Sequence, residues 1–141
     1  YIVTAFAFAS IGGYHYFMGI RIPVIFLALI VIELCAKLGM VVAARFGRSV
    51  HEGMNTSFLQ AMHGGGGNWR LALALVISFA VSILLLGIGG IYVVLASVIT
   101  GLVMVKIAHL NFGGVTGDVF GSTNELARVV CAVVFVAVLY W

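Results

Sequence analysis

A run of 35 residues without a charged side chain, residues 71–105, constrains this chain more than any other feature. A helix that crosses the hydrocarbon core of a bilayer needs about 20 mostly apolar residues, so this run is too long for one crossing. Gly87, Gly89 and Gly90 divide the run near its middle. We therefore predict a tight helical hairpin, with transmembrane spans at about residues 71–86 and 91–110.

The composition of the whole chain agrees with a membrane protein. Of its 141 residues, 64% are hydrophobic and 8% are charged, whereas a soluble domain carries roughly a quarter charged residues. The formal net charge of +3 is too small and too scattered for a nucleic-acid-binding protein. Cys35 and Cys131 lie inside apolar runs, which predicts small buried side chains rather than a disulfide or metal ligands. The predicted fold class is all-α: a polytopic integral membrane protein with about five transmembrane helices.

The remaining spans are predicted at residues 22–44, residues 123–141 and, more weakly, residues 1–20, whose second half is glycine-rich, polar and aromatic. With five spans, the loops at residues 45–70 and 111–122 lie on the same side of the membrane. Lys and Arg concentrate in cytoplasmic loops, so we predict that this side faces the cytoplasm. The basic residues counted toward it are Arg45, Arg48 and Arg70, with Lys106 and Arg128 taken to lie near helix ends.

A polar, glycine-rich break, residues 111–125, separates the last two spans. It contains Asp118 and Glu125, two of the four acidic residues of the chain. A carboxylate beside hydrocarbon is energetically costly, which makes this pair a candidate functional site. Seven residues make about two helical turns, so both carboxylates lie on one face if the segment is helical. Such a pair could hold a hard cation such as Mg²⁺, which prefers oxygen ligands.

The same break also has structural interpretations. Ser122 or Thr123 could cap the last helix, with Glu125 in its first turn, and Glu125 could pair with Arg128 three residues later. The glycines at positions 113, 117 and 121 recur every four residues. They either let backbone N–H groups approach a phosphate or form a stripe of small residues for helix packing.

Basic residues near the predicted cytoplasmic side are candidate phosphate ligands. Arg45 and Arg48 could bind phosphate oxygens in a bidentate manner, although ordinary flanking of a membrane span explains them better on the sequence alone. Lys106 and His109 lie on one turn just before the glycine-rich break. Either could contact a phosphate, and a snorkelling lysine with an interfacial histidine explains them equally well.

Glu33 and Lys37 lie four residues apart inside the predicted span at residues 22–44. An acid followed by a base at this spacing forms a pair on one face of a helix, which lowers the cost of placing both in lipid. We therefore predict a structural role for Glu33.

The sequence G-G-V-T-G-D-V-F-G-S-T-N-E-L, residues 113–126, resembles the C-terminal signature of the cobalamin synthase family, the adenosylcobinamide-GDP ribazoletransferases. That family carries the pattern T-G-D-x-x-G-x-x-x-E-L, followed by one last apolar helix. The arginine-rich end of a span, followed by residues 52–54, resembles the family more weakly. The family's Asp-rich motif of the type D-G-L-A-D-T is missing from these residues. We therefore expect the chain to be the C-terminal part of a longer protein.

The resemblance implies a Mg²⁺-dependent membrane transferase of late cobalamin (vitamin B12) biosynthesis, of the EC 2.7.8 type. It implies that adenosylcobinamide-GDP is joined to α-ribazole or its 5′-phosphate, with release of GMP. Asp118 and Glu125 are then expected to be catalytic and to bind Mg²⁺. The expected substrate-binding residues are Arg45, Arg48, Lys106, Gly114, Thr116, Gly117 and Asn124.

Two other classes of function stay open at this point. A membrane phosphotransferase resembling the CDP-alcohol phosphatidyltransferases needs a D-x-x-D-G-x-x-A-R-type motif, which the chain lacks. A transporter, channel or assembly subunit should carry charges along a pathway between spans, whereas the sequence predicts most charges at one membrane face. The lipid bilayer is an expected partner, nucleic acid is not, and a homo-oligomer is compatible with the sequence.

Overall fold

The computed structural model describes residues 14–17, 20–48 and 56–139. Helices dominate this part of the chain, and an antiparallel β-hairpin precedes them. The strands are β1 (Tyr14–Phe17) and β2 (Ile20–Pro23). The helices are α1 (Val24–Phe46), α2 (Thr56–His63), α3 (Gly67–Leu86), α4 (Gly89–Phe112) and α5 (Gly117–Leu139).

Four of these helices are long and apolar enough to cross a membrane. The candidate spans are 20 to 24 residues long, with mean hydropathies of 1.5 to 2.5. At 1.5 Å per residue such a helix covers about 30 Å, the thickness of the hydrocarbon core. The predicted class, a polytopic helical membrane protein, is confirmed, with four candidate spans in the part of the chain that the structure describes. They are Ile25–Phe46, Gly67–Leu86, Gly89–Phe112 and Gly117–Val138.

The helix predicted for residues 1–20 is wrong in its second half, where the structure has the β-hairpin instead. Tyr14 pairs with Pro23, and Phe17 pairs with Ile20, in an antiparallel register. Aromatic and β-branched residues dominate both strands and favour extended backbone. Pro23 ends β2 directly before α1, which suits a residue that has no N–H group to donate. Residues 1–13 and 18–19 of the predicted span lie outside the described residues.

Helices α3 and α4 form the predicted helical hairpin. Only Gly87 and Ile88 separate them, and Gly87 has a φ of +62°, a conformation that suits glycine. Gly90 allows a close approach of the two helices, since a Cβ atom there would lie 2.3 Å from the carbonyl oxygen of Ser82.

Helices α1, α4 and α5 pack against one another through small residues. A Cβ atom at Gly101 of α4 would lie 2.7 Å from the carbonyl oxygen of Gly39 of α1, and a Cβ atom at Gly39 would lie 3.1 Å from the Cβ of Ala127 of α5. Such close backbone approach is typical of membrane helices, where van der Waals packing holds the helices together. Helix α3 lies at the periphery: 11% of its span is buried, against 50% of the span of α1.

Both cysteines are free and buried, as predicted. The thiol of Cys131 donates to the carbonyl oxygen of Val93 at 3.5 Å. The hydroxyl of Ser97 donates to the carbonyl oxygen of Cys35. These bonds link α4 to α5 and α4 to α1, so the buried polar groups of the helix interfaces contribute to their registry.

Helix α5 begins six residues earlier than predicted, and the loop predicted at residues 111–122 shrinks to residues 113–116. Thr116 immediately precedes the helix, and its carbonyl oxygen accepts the backbone N–H of Phe120 at 3.2 Å. This bond places Thr116 at the N-cap position, where threonine is favoured. The other predicted loop, residues 45–70, is likewise partly helical, because α2 lies within it and α3 begins at Gly67.

The early start of α5 moves three residues from their predicted places. Thr123 does not cap a helix: it is buried, and its hydroxyl donates to the carbonyl oxygen of Val119 at 2.6 Å within α5. Glu125 lies in the third turn instead of the first. Arg128 lies in the middle of the helix instead of near its end. Polar residues and glycines interrupt the apolar run at residues 116–122, and the first turns of α5 were missed because apolar length was the signal used to find helices.

Candidate active site

The end of α1, the end of α4 and the start of α5 meet at the backbone of Arg48. Its N–H donates to Nε2 of His109, in the last turn of α4, at 3.2 Å. Its carbonyl oxygen accepts the N–H of Val115, one residue before Thr116, at 2.7 Å. For His109 to accept at Nε2, the ring must be neutral with its proton on Nδ1. Residues far apart in the sequence are therefore held together at one end of the helix bundle.

Asp118 lies exposed in the first turn of α5, where the helix dipole favours a carboxylate. It lines a cavity of about 380 Å³ between α4 and α5. Thr116 and Ser122 are the other polar residues of this lining. The apolar part of the lining consists of Met104, Ile107, Ala108, Phe112 and Val119. The cavity thus brings a carboxylate and two hydroxyl groups to the edge of an apolar surface.

Glu125 lies on the same helix as Asp118, seven residues later and about 10 Å further along the axis. Its Oε1 accepts NH1 of Arg128 at 2.5 Å and Nδ2 of Asn124 at 3.2 Å. The predicted pairing of Glu125 with Arg128 is confirmed. These contacts favour the structural interpretation of Glu125, and its binding of metal stays a prediction.

Asn124 is 9% exposed, and both ends of its amide bond protein groups. Its Oδ1 accepts Nζ of Lys37 at 3.1 Å, and its Nδ2 donates to Glu125. The predicted substrate contact of Asn124 would have to compete with these bonds. The structure therefore favours a bridging role for Asn124 between α1 and α5.

Arg128 has a second partner, on another helix, that was not predicted from the sequence. Its guanidinium binds Glu33 of α1, which also contacts Lys37 at the predicted i,i+4 spacing, with Nζ and Oε1 3.5 Å apart. Four charged residues therefore lie midway along their helices: Glu33, Lys37, Glu125 and Arg128. Glu33 and Lys37 were predicted to lie within a span, but Glu125 and Arg128 were expected near the membrane face, and that expectation is wrong. The only signals in the sequence were the two local spacings, 33 to 37 and 125 to 128.

The basic residues of the predicted cytoplasmic side differ in their contacts. Arg45 donates from Nε and NH2 to Oδ1 of Asn68, at 3.0 and 2.7 Å, and so ties α1 to α3. Arg70 donates to the carbonyl oxygen of Ala61 at 2.7 Å. The side chains of Arg48 and Lys106 are exposed. Of the arginines predicted to bind substrate, the structure leaves Arg48 better placed for this role than Arg45.

The two glycines predicted to contact substrate, Gly114 and Gly117, also differ in their exposure. Gly117, the first residue of α5, is exposed beside Asp118, whereas Gly114, within the loop at residues 113–116, is buried. Gly113 has a φ of +73° and ends α4. A Cβ atom at Gly121 would meet nothing within 4 Å among the described residues, so Gly121 is not part of a packing stripe there.

A metal ion could be held here only with help from other donors. The described residues contain no group of three or more His, Cys, Asp and Glu side chains that could bind a metal. Mg²⁺, however, is commonly held by one or two carboxylates together with substrate phosphates and water. Asp118, a single exposed carboxylate beside a cavity, fits a site of that kind.

Comparison with known proteins identifies the family. The family model described as cobalamin-5-phosphate synthase matches residues 1–136. The chain belongs to this family. The resemblance inferred from residues 113–126 is thereby confirmed. The T-G-D motif, residues 116–118, lies at the start of the last described helix. No solved structure matches the chain.

Relatives of the chain carry the name adenosylcobinamide-GDP ribazoletransferase. The protein of Methanococcoides burtonii is 31% identical over an alignment of 117 residues, and the alignment covers 79% of this chain and 40% of that relative. The protein of Methanocella arvoryzae is 32% identical over an alignment of 130 residues, and the alignment covers 82% of this chain and 47% of that relative. The chain thus spans less than half the length of these curated relatives.

Proposed function

We propose that this chain forms part of the active site of a membrane transferase of late cobalamin biosynthesis. The transferase joins adenosylcobinamide-GDP to α-ribazole or its 5′-phosphate and releases GMP. The observation that carries this proposal is the contact of Arg48 with the loop that leads into Thr116, Gly117 and Asp118. It joins the backbone of Arg48 to the segment that leads into Asp118, so the exposed side chains of both residues lie at the same end of the helix bundle. The names of the relatives support the choice of substrates.

In the proposed reaction, a ribose hydroxyl of the ribazole attacks the phosphorus that bears the corrinoid. A new phosphate ester bond forms, the bond to the bridging oxygen of the diphosphate breaks, and GMP leaves with that oxygen. The proton of the hydroxyl passes to solvent or a nearby base. Such a reaction depends on positioning and on neutralising phosphate charge more than on covalent chemistry by the protein.

The residues of the site divide these tasks. Arg48 binds phosphate oxygens through its planar guanidinium. The first N–H groups of α5, from Gly117 onward, have no partner within the helix and favour an anion beside them. Asp118 would hold Mg²⁺, and the bound ion would neutralise charge on the diphosphate. Lys106 is exposed on α4, six residues before the end of that helix, and its contact with a substrate phosphate stays a prediction.

We propose that this site faces the cytoplasm. Arg45, Arg48 and Arg70 lie at the helix ends around it, and such an excess of arginine is typical of cytoplasmic loops. The charged substrates are also supplied by reactions in water, so a site at a membrane face is accessible to them.

The test is a transfer assay on membranes that contain the full-length protein. Adenosylcobinamide-GDP, Mg²⁺ and either α-ribazole or its 5′-phosphate are supplied, and the corrinoid product and GMP are followed. Equal amounts of both products should form, and Asp118→Asn should abolish them. Asn111→Ala is the control at the same membrane face, because Asn111 is exposed and its amide contacts only the carbonyl of Ile107 among the described residues. Folded wild-type protein that forms neither product would refute the proposal and favour a transporter or assembly subunit.

A further inference from the structure

Five side chains of α1 and α5 form a closed circuit of contacts, here named the polar ring: Glu33, Lys37, Asn124, Glu125 and Arg128. Lys37 contacts Glu33 and Asn124, and Asn124 in turn donates to Glu125. Arg128 closes the circuit by binding Glu125 on one side and Glu33 on the other. Two carboxylates and two cations make the polar ring neutral as a whole.

The polar ring lies at the middle depth of the candidate spans. Counted at 1.5 Å per residue, each charged member is about 12–17 Å from the nearer end of its helix. Half the thickness of the hydrocarbon core is about 15 Å. Neither loops nor lipid headgroups reach this depth, so only protein, water or hydrocarbon can surround the polar ring.

The polar ring has an inner edge, formed by Arg128, and an outer edge, formed by Glu33, Lys37 and Glu125. The two edges differ in the exposed fraction of their side chains. The side chain of Arg128 is 15% exposed, whereas those of Glu33, Lys37 and Glu125 are 49%, 58% and 63% exposed. Ionised groups are very unfavourable in hydrocarbon, even when paired, if one side of the pair stays bare. The outer edge of the polar ring is therefore unsuited to contact with lipid. Helix α3 is different, because its exposed mid-helix residues, such as Val76 and Ile77, are apolar.

We propose that the outer edge of the polar ring is an internal interface of the full-length protein. Its occupant is a transmembrane helix from the part of the protein that lies outside this chain. Between 40% and 47% of each curated relative aligns with this chain, so more than half of each relative is available to supply that helix. The inference depends on the membrane location of the chain and is independent of the proposed reaction.

The unused hydrogen-bonding capacity of the polar ring defines the chemistry of that helix. The ammonium group of Lys37 has three N–H donors, and two described partners, Glu33 and Asn124, account for two of them. Both described bonds of Glu125 end on Oε1, which leaves Oε2 without a partner among the described residues. The covering helix therefore presents an acceptor opposite Lys37 and a donor opposite Glu125.

Site-directed spin labelling of the full-length protein in lipid nanodiscs tests this interface. Cys35, Cys131 and any other cysteine are replaced by alanine, and one cysteine is introduced and labelled. Ile30 is 55% exposed and lines the same surface as Glu33 and Lys37. Val76, in the middle of α3 and 64% exposed, is the matched control. Leu29, on the same surface as Ile30, is a second label position if the first impairs folding.

The measured quantities are the accessibilities of each label to oxygen, which concentrates in lipid, and to a nickel chelate, which stays in water. We expect the accessibility to oxygen to be several-fold lower at Ile30 than at Val76. The accessibility to the nickel chelate at Ile30 should be low as well. Oxygen accessibility at Ile30 equal to that at Val76 would show contact with lipid and overturn the proposal. High accessibility of Ile30 to the nickel chelate would show a water-filled cavity and would also overturn the proposal. A short distance between labels on two copies would show that a second copy covers the polar ring, which would overturn it too.

Discussion

The guanidinium of Arg128 on α5 donates from Nε and from NH2 to the two carboxylate oxygens of Glu33 on α1, both at 2.9 Å. The two residues are 95 positions apart in the sequence. Paired N–H donors on a planar group match a carboxylate in both distance and direction, which gives this contact more geometric specificity than a single ion pair. It fixes the helix that carries Asp118 against α1 at mid-depth, about 15 Å below the proposed site.

A double-mutant cycle measures the strength of this contact. Glu33→Gln, Arg128→Met and the double variant are compared by the free energy of unfolding of the full-length protein in lipid. We expect each single variant to be destabilised and the coupling energy to be about 1–3 kcal/mol, because either residue alone leaves a charge at mid-depth. Glu33→Gln with Lys37→Met is the matched control, and its coupling should be smaller, because Lys37 contacts Glu33 only once, at 3.5 Å, and is also bound by Asn124. Additive effects of Glu33→Gln and Arg128→Met would contradict the contact.

Two glycines on neighbouring helices are predicted to respond in opposite ways to alanine. Gly101→Ala puts a methyl group 2.7 Å from the carbonyl oxygen of Gly39, so α1 and α4 must separate, at a cost of about 1–3 kcal/mol in unfolding free energy. Gly121→Ala meets nothing within 4 Å among the described residues, and alanine is the better helix former by about 1 kcal/mol. Thermal unfolding of both variants checks the difference. Equal destabilisation would show that another part of the protein packs on Gly121.

The two arginines at the end of α1 are predicted to have separable roles. Arg48→Ala should lower kcat/KM for adenosylcobinamide-GDP by about 10–100-fold, the loss of one or two charge-assisted hydrogen bonds to phosphate. Its thermal stability should not change, because the side chain of Arg48 is exposed. Arg45→Ala should instead lower stability by about 1 kcal/mol, since two bonds to Asn68 are lost. Asn68→Ala should reproduce the effect of Arg45→Ala, and a kcat/KM loss confined to Arg45→Ala would reverse the assignment.

The helices were predictable where apolar length was the signal. The uncharged run and its glycines place α3 and α4, since about 20 apolar residues favour a membrane crossing and Gly87 favours the turn. The start of α5 was missed because polar residues and glycines interrupt the apolar run at residues 116–122. The first backbone bond of the helix begins at Thr116, whereas the sequence had offered Ser122 and Thr123 as caps. The hairpin of β1 and β2 was missed because aromatic residues suit a membrane span as well as a strand.

The sequence motif and the local contacts of the site were predictable, but the contacts between its helices were not. Local spacing gives contacts three or four residues apart on a helix, and both such ion pairs, Glu33–Lys37 and Glu125–Arg128, are present. Contacts between helices depend on the rotation and depth of each helix, which one sequence does not specify. The Arg128–Glu33 pair and the bonds of Arg48 to His109 and Val115 belong to this second kind.

The most direct test of the proposed site compares Asp118→Asn with Glu125→Gln in the Mg²⁺ dependence of transfer by the full-length protein. Both substitutions remove one carboxylate from the same face of α5, but only Glu125 is held by Arg128 and Asn124. We predict that Asp118→Asn lowers kcat by about 10²–10³-fold or more at every Mg²⁺ concentration, as expected for a lost group that stabilises transition-state charge. Glu125→Gln should keep the wild-type Mg²⁺ dependence and lose mainly stability. A wild-type Mg²⁺ dependence and rate in Asp118→Asn would contradict the account, whatever the behaviour of Glu125→Gln.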